Sequence, residues 1–335
     1  MSTSRIWILG AVVVVALGLA SNAKAALLAY EGFEYDPGPL GGQVGGSGFN
    51  GGWILGGNAS NNQVRSGSFG YTDSFGNSLV TAGNRGFSTG DGTAAGADTG
   101  GNNSCSSPRR TLTFTRGNGN EPEVTWMSFL ALRTGNTLTV LDSNNDPIEY
   151  ARAVGVQLFY RSDGTTAQGN ELLSIGRGTQ TSETIALPND TWGMLNRGDG
   201  NQAVASDVSL LDPEPVFMLL RIDHAVGNNP GNDTARLWIN PASLAVEPGL
   251  CTEDLMITAS QFGNSDRDYN FNQLRIFAGN MTANVGYGSI EYDEIRIGTT
   301  FDSVTPYTAI PEPTTALLAC VALVGLLPIA GRRRA

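Results

Sequence analysis

Residues 290–295 (IEYDEI) place acidic side chains where they could do hydrolytic chemistry. In a strand, successive side chains point to opposite faces, so Glu291 and Asp293 share one face and Glu294 lies on the other. Two carboxyls about 5 Å apart on one face are what retaining glycoside hydrolysis needs. Positions 295 and 296 are isoleucine and arginine, so the acid/base partner further along the strand is missing. The pattern therefore predicts a structural strand with Ile295 inward.

His224 is the only histidine in the chain. A hydrolase triad could use it, but no G-x-S-x-G turn accompanies it. A zinc site is also disfavoured, because the sequence offers one histidine and only distant cysteines. We therefore expect His224 to be a solvated or hydrogen-bonded residue at a strand end, beside Asp223.

The segment 142–149 (DSNNDPIE) carries oxygen-bearing side chains at alternating positions, which is the spacing that calcium loops use. These residues are Asp142, Asn144 and Asp146. A proline occupies the place of the turn glycine, and Glu149 comes too early for an EF-hand. The sequence favours an Asx-rich hairpin turn and leaves calcium open as a cofactor.

Aromatic rings could bind glycans, because flat rings pack against the faces of sugars. The candidates are Trp53, Trp126, Trp192, Trp238 and Tyr160. Large aromatic residues in strands usually belong to the core. Trp238 lies opposite the aliphatic face of its strand, so we expect it to reach a sheet surface and to be the glycan-binding residue.

These side chains must be positioned by strands, because short apolar stretches alternate with Gly/Asn/Asp clusters along the chain. Seven stretches read as strands, namely 124–133, 154–161, 171–175, 216–224, 235–240, 271–278 and 290–297. Segments 124–133 and 216–224 are apolar on both faces, which indicates strands covered on both sides. The fold class predicted is all-β, an antiparallel two-sheet sandwich. Residues 47–119 are rich in glycine and asparagine and are expected to hold few strands, as a long loop region or as a loosely built edge.

The charge of the chain excludes some functions. The formal net charge is −11, and residues 26–310 alone carry 15 basic against 30 acidic side chains. A body this acidic is not expected to bind nucleic acid, which requires a basic surface. The only lysine of the chain, Lys24, precedes these residues, so no catalytic lysine is available in the body.

Cys105 and Cys251 can form a disulfide in an oxidising compartment, and the sequence leaves that pairing open.

Both ends of the chain carry export features. Arg5, an apolar run and Ala23–Lys24–Ala25 form a secretory signal peptide over residues 1–25, with cleavage expected between Ala25 and Ala26. Residues 314–330 hold no charge and are just long enough to cross a bilayer as a transmembrane helix. Arg332, Arg333 and Arg334 follow, and the positive-inside rule keeps them in the cytoplasm. The expected domains are a body (26–302), a linker (303–310) and a C-terminal signal (311–335).

The tail combines Pro311–Glu312–Pro313, an apolar helix and a terminal arginine cluster, behind a signal peptide. This arrangement resembles the PEP-CTERM sorting signal of Gram-negative bacteria that make exopolysaccharide. The resemblance implies an exosortase, a membrane-embedded transpeptidase, as a partner that acts at or beside the triplet. It also implies transient residence in the inner membrane, followed by delivery to the cell surface or biofilm matrix. A permanently anchored periplasmic protein is the alternative.

The body resembles concanavalin-like (LamG-type) jelly-roll domains in three patches, at 30–53, 233–241 and 292–306. This resemblance supports the sandwich and implies no particular activity. We therefore expect a non-enzymatic surface or matrix protein that is structural or binds a glycan in extracellular polysaccharide. A carbohydrate-active enzyme, a glycoside hydrolase or lyase on the same fold, is the alternative.

Overall fold

A computed structural model describes most of the predicted body. The described residues are 26–56, 59–90, 105–119, 123–141, 144–163, 169–176, 190–196, 203–225, 233–258, 268–279 and 286–309. The predicted signal peptide, the sorting tail and Asp142 therefore lie outside the described residues. Within these ranges, no helix has both the length and the apolar character needed to span a membrane.

Strands make up nearly all of the regular structure in the described ranges. In chain order they are β1 (Leu27–Glu31), β2 (Gly38–Pro39), β3 (Phe49–Ile54), β4 (Asn62–Arg65), β5 (Ser78–Leu79), β6 (Arg85–Thr89), β7 (Arg109–Arg116), β8 (Glu123–Arg133), β9 (Thr137–Leu141), β10 (Pro147–Ala151), β11 (Val154–Tyr160), β12 (Asn170–Gly176), β13 (Thr191–Asn196), β14 (Ala203–Ser209), β15 (Val216–His224), β16 (Thr234–Ile239), β17 (Leu255–Thr258), β18 (Phe271–Ala278), β19 (Ser289–Gly298) and β20 (Tyr307–Thr308). A 3-10 turn (Ala59–Asn61) and a short helix, α1 (Phe301–Val304), complete them. The seven predicted strands are all confirmed.

The described strands pair in antiparallel fashion and form two main sheets. Sheet A has the order β17-β16-β15-β8-β19-β6-β4-β2, with β1 also paired to β19. Sheet B has the order β14-β13-β12-β11-β18-β7-β3. One hydrophobic core joins side chains of both sheets, for example Met218 of β15 and Leu274 of β18. The predicted all-β antiparallel two-sheet sandwich is confirmed.

The central strands of sheet A are apolar on both faces, and each face has its own cluster. In β15, Met218 and Leu220 point into the core between the sheets, whereas Phe217 and Leu219 point outward. The outer cluster also includes Trp126 of β8 and Trp238 of β16. The prediction that these strands are covered on both sides is confirmed.

The outer face of sheet A is covered by three segments that we call the cover, residues 69–80, 240–252 and 301–308. Phe301 of α1 meets the Trp126 ring edge-on at 5.7 Å, and Val304 is fully buried. Strand β20 then pairs with β5. Residues 303–308 of the predicted linker therefore belong to the folded cover. Two apolar side chains one turn apart make α1 dock on the sheet.

The expectation of few strands between residues 47 and 119 is also wrong, because β3 to β7 lie there. The glycines that suggested loops serve close packing of backbones instead. A side chain at Gly52 in β3, for example, would place its Cβ only 2.7 Å from the carbonyl oxygen of Gly42. Glycine is therefore required within a strand at this position.

A buried ion pair crosses the sandwich from β1 of sheet A to β7 of sheet B. The Arg110 guanidinium donates to Glu31 at 2.5 Å and to the carbonyl oxygens of Gly45 and Gly51. The Glu31 carboxylate also accepts hydrogen bonds from the Trp53 indole and the Tyr35 hydroxyl. Both charges are buried and hydrogen-bonded on several sides, which is the condition under which a buried pair is tolerated.

Replacing Arg110 with methionine (Arg110→Met) should lower the free energy of unfolding by about 3–5 kcal/mol, because the Glu31 charge stays buried without its partner. Chemical denaturation measures this change. Arg161→Met is the control: it removes the partly exposed pair with Asp163, at 2.6 Å, and should cost far less, because water screens that pair. Equal losses for the two variants would contradict a special role for the crossing pair.

Candidate functional site

A cavity of about 500 Å³ opens on the outer face of sheet A, where β16 ends. This volume lies in the range typical of small-ligand sites. The described residues that line it are Phe75, Trp238, Ile239, Asn240, Pro241, Ala242, Ser243, Val246, Glu247, Pro248, Gly249, Thr252 and Asp254. Apart from Asp254, which directly precedes β17, they come from β16 and from the cover, so the site depends on the cover being folded.

Trp238 forms part of the cavity wall and is held in place by its neighbours. Its ring stacks on Trp126 at 5.8 Å, and its indole nitrogen donates to the Thr252 hydroxyl at 3.3 Å. The side chain is only 3% exposed. Trp238 lies on the outer face of sheet A, opposite the aliphatic face of its strand, as expected. The expectation that it reaches an open sheet surface is wrong, because the cover lies over it.

Phe75 and Val246 stand at the cavity, 73% and 67% exposed. Phe75 occupies a turn, residues 73–77, that two backbone hydrogen bonds hold. The amide of Asp73 donates to the carbonyl oxygen of Asn77, and the amide of Gly76 donates to the carbonyl oxygen of Asp73. An exposed aromatic ring on an immobilised turn, next to a cavity, is a typical contact point for a ligand.

The Asp73 carboxylate organises this turn and ties it to the rest of the cover. It accepts hydrogen bonds from the backbone amides of Phe75 (2.9 Å), Asn77 (2.8 Å) and Leu244 (2.7 Å). Burial by itself raises the pKa of Asp73, but these amides and the Asn77 side chain outweigh it and lower the pKa overall. Phe75 is not among the residues predicted from the sequence, although the Asp-Ser-Phe-Gly-Asn stretch is typical of such a turn.

Two carboxylates, Glu247 and Asp254, line the cavity. Glu247 accepts a hydrogen bond from the Arg221 guanidinium at 3.0 Å. Asp254 accepts one from the backbone amide of Ile239 at 2.6 Å. Burial and the nearby charge of Asp207 raise the pKa of Asp254, whereas the Ile239 amide lowers it in part. The cavity thus combines apolar walls, hydroxyl and amide groups and acidic oxygens.

The acidic residues of β19 do not face a cleft. Glu291 is held by ion pairs with Arg65 and Arg85. Asp293 accepts hydrogen bonds from the Ser68 hydroxyl (2.6 Å) and the Phe69 amide (2.8 Å). Burial raises the pKa of Asp293 to about 7, against the effect of these two donors. Both carboxyls are therefore engaged by donor groups of the protein itself.

The predicted alternation along β19 holds only up to a bulge. Tyr292 and Ile295 both point into the core, so two residues, Asp293 and Glu294, fit between them on the outer side. Glu294 adopts a left-handed backbone conformation (φ 54°) and pairs with Arg296. The expected inward direction of Ile295 is confirmed, but Glu294 does not lie on the face opposite Asp293.

His224 is buried and hydrogen-bonded on both ring nitrogens. Nε2 lies 2.9 Å from the Thr125 hydroxyl, and Nδ1 lies 3.3 Å from the carboxylate of Asp233. Asp233 also accepts from the amides of Ala225 and Tyr269. The order hydroxyl, imidazole and carboxylate resembles a catalytic triad, but Thr125 is only 1% exposed and out of reach of a substrate. The expected hydrogen-bonded role of His224 is confirmed.

Asp268 lies beside this group, and its side chain is 3% exposed. Its Oδ1 atom has no hydrogen-bond partner among the described residues. Burial, and then the charge of Asp233, raise the pKa of Asp268 to about 6, with His224 opposing them. This interaction could not be predicted from the sequence, because Asp233 and Asp268 are far apart along the chain.

The described residues predicted for a calcium site and for a disulfide do not line the cavity. Asn144 and Asp146 are exposed in the turn of the β9–β10 hairpin, as expected of an Asx-rich turn. In the described ranges, no three His, Cys, Asp or Glu side chains converge to hold a metal ion. No disulfide joins Cys105, which precedes β7 of sheet B, to the exposed Cys251, which lies before β17 of sheet A.

No protein-family model matches the chain, and no curated protein matches it. Among solved structures, the chain is similar to one from a study of botulinum neurotoxin type C, whose cell entry depends on two ganglioside molecules (9% identity, 84% of this chain, 51% of that one, TM-score 0.40). It is also similar to an alginate lyase, A1-II' (12% identity, 74% of this chain, 94% of that one, TM-score 0.37). A third similar structure is a bifunctional GH43-CE protein of Bacteroides eggerthii (13% identity, 64% of this chain, 22% of that one, TM-score 0.33). The chain spans about half the length of the neurotoxin structure. These similarities are too distant to assign a function.

Asp268→Asn should stabilise the protein at pH 7.5 and have no effect on stability near pH 4. The folded-state pKa is raised above the ordinary value of 3.8 to about 6, so stability is lost as the pH rises through that range and Asp268 ionises. An amide at this position does not ionise. Melting temperatures of both proteins at the two pH values measure the difference, with Asp36→Asn as an exposed control. The same difference at both pH values would contradict the raised pKa.

Proposed function

We propose that this chain is an exported protein of the cell surface or biofilm matrix, and that it binds extracellular polysaccharide at the cavity beside β16. The observation that carries the binding proposal is the exposed ring of Phe75, fixed on its turn next to a cavity that Trp238 lines. Sugars offer a C–H face for such a ring and hydroxyl groups for the polar wall.

The polar wall has the groups that hydroxyl recognition requires. Ser243, Thr252 and Asn240 supply hydroxyl and amide groups, and Asp254 supplies a carboxylate that can accept from sugar hydroxyls. Because the turn of Phe75 is already ordered by Asp73, binding would cost little conformational entropy. Both features favour a glycan as the occupant.

The two-sheet sandwich is compatible with the concanavalin-like jelly roll that the sequence resembles. We propose that the body has this jelly-roll fold. We also propose that the protein is not an enzyme. Glu291 and Asp293, the best catalytic pair in the sequence, are engaged by arginines and by backbone or hydroxyl donors. No second function is supported by a specific arrangement of the described residues.

The export part of the proposal rests on the two ends of the sequence. β20 ends at Thr308, only three residues before Pro311. Cleavage by an exosortase at the triplet would therefore leave the cover of sheet A complete. The terminal arginines would hold the tail in the inner membrane until that step.

Phe75→Ala should weaken binding to the exopolysaccharide of the producing bacterium by about fivefold or more, the loss expected when an anchoring aromatic residue is removed. Because Phe75 is exposed, the melting temperature should not change. Isothermal titration of the full chain in mild detergent measures the affinity. Leu141→Ala, which removes a 64% exposed apolar side chain outside the cavity, is the control. Equal affinity of both variants and the wild type would rule out this binding site.

Replacing Arg332, Arg333 and Arg334 with alanine should leave the protein unprocessed in its native host, because the tail would lose its cytoplasmic anchor. Loss of the host's exosortase should have the same effect. Mass spectrometry of the extracellular fraction should find the wild type shortened by the residues after the cleaved bond. A wild type that keeps its tail would instead favour permanent anchoring.

A further inference from the structure

The charge of the cavity is one-sided. Its described lining includes the carboxylates of Glu247 and Asp254 and no lysine or arginine side chain. The whole chain carries a formal net charge of −11. An acidic ligand would therefore meet repulsion both from the lining and from the protein as a whole.

The two carboxylates differ in how far they are neutralised. Glu247 pairs with Arg221, which also binds Asp223. Asp254 has no ion pair with any described residue, and its one hydrogen bond is the amide of Ile239 to Oδ2. Its Oδ1 is therefore left for a ligand at the cavity.

The environment of Asp254 makes a cation the favoured partner. Asp254 is exposed, but partial desolvation and the neighbouring Asp207 still disfavour its charged form and raise its pKa. A positive group at Oδ1 would offset both effects. The face of the Phe75 ring carries negative electrostatic potential and also attracts ammonium groups.

We propose that the cavity selects polysaccharides with free amino groups, and that Asp254 pairs with the sugar ammonium. This inference rests on the proposed glycan-binding function and narrows its ligand class to amino sugars. Neutral sugars should bind more weakly through Phe75 and the polar wall alone. Uronate polymers should be rejected, because their carboxylates would lie beside Asp254 and Glu247.

Three hexamers of equal length test the proposal, one each of glucosamine, N-acetylglucosamine and mannuronate. The full chain in mild detergent is titrated with each, at a mildly acidic pH that keeps the amines protonated. The glucosamine hexamer should bind about three- to fivefold more tightly than its acetylated form, the gain expected of a partly exposed ion pair. Added salt should reduce that preference, and the mannuronate hexamer should not bind.

Asp254→Asn is the decisive variant, because the amide oxygen can still accept the hydrogen bond from Ile239 while the charge is removed. This variant should bind the glucosamine and the N-acetylglucosamine hexamers with equal affinity. Asp36→Asn, the same change at an exposed residue before β2 on the opposite edge of sheet A, should keep the preference. Melting temperatures check that both variants fold.

The outcomes separate this inference from the function it rests on. If the wild type binds the glucosamine and N-acetylglucosamine hexamers equally, amine selection is wrong; if Asp254→Asn keeps the preference, the pairing of Asp254 with the ammonium is wrong. In both cases a loss of binding in Phe75→Ala means that the glycan site stands. If the mannuronate hexamer binds best, the charge argument is also wrong. If none of the hexamers binds and the exopolysaccharide titration is negative too, both proposals fail.

Discussion

Strands β8 and β15 carry apolar side chains on both faces, so sheet A has to be covered twice. Sheet B covers one face, and the cover, residues 69–80, 240–252 and 301–308, buries Trp126, Phe217 and Trp238 on the other. Leaving such side chains in water would forgo about 1.5–3 kcal/mol each. The cavity exists because the cover, built from loops, does not fill all the space above β16.

The cover is held by polar groups as well as by apolar contacts, and this explains why a site on loops can be well ordered. The Tyr71 hydroxyl donates to the carbonyl oxygen of Pro241 at 2.6 Å, and its ring stacks on Phe217 at 4.9 Å. Asp73 joins the turn of Phe75 to the amide of Leu244. The same hydrogen bonds that close the outer cluster therefore fix the exposed ring, which keeps the entropic cost of binding low.

The sequence predicted the elements better than the site. The apolar run of 216–224 and the alternation in 235–240 predicted the strands and their faces, because side-chain direction depends only on local geometry. The burial of Trp238 could not be predicted, since it depends on segments from three distant parts of the chain. The bulge at Glu294 moves one carboxylate to the other face, which strict alternation misses. Strand β3 around Gly52 could not be predicted, because Gly52 allows a close backbone contact that only the folded chain shows.

The path of the chain after β19 connects the cover with the predicted sorting step. α1 packs on Trp126, and β20 pairs with β5. β5 directly follows the turn that carries Phe75. The C-terminus left by cleavage near Pro311 would therefore emerge from the same layer that forms the cavity. If that terminus is the point of attachment, the protein holds its glycan site and its anchor on one side of sheet A. Binding and attachment would then both depend on the folded cover, since unfolding of α1 and β20 would expose Trp126 and release the segment that fixes β5.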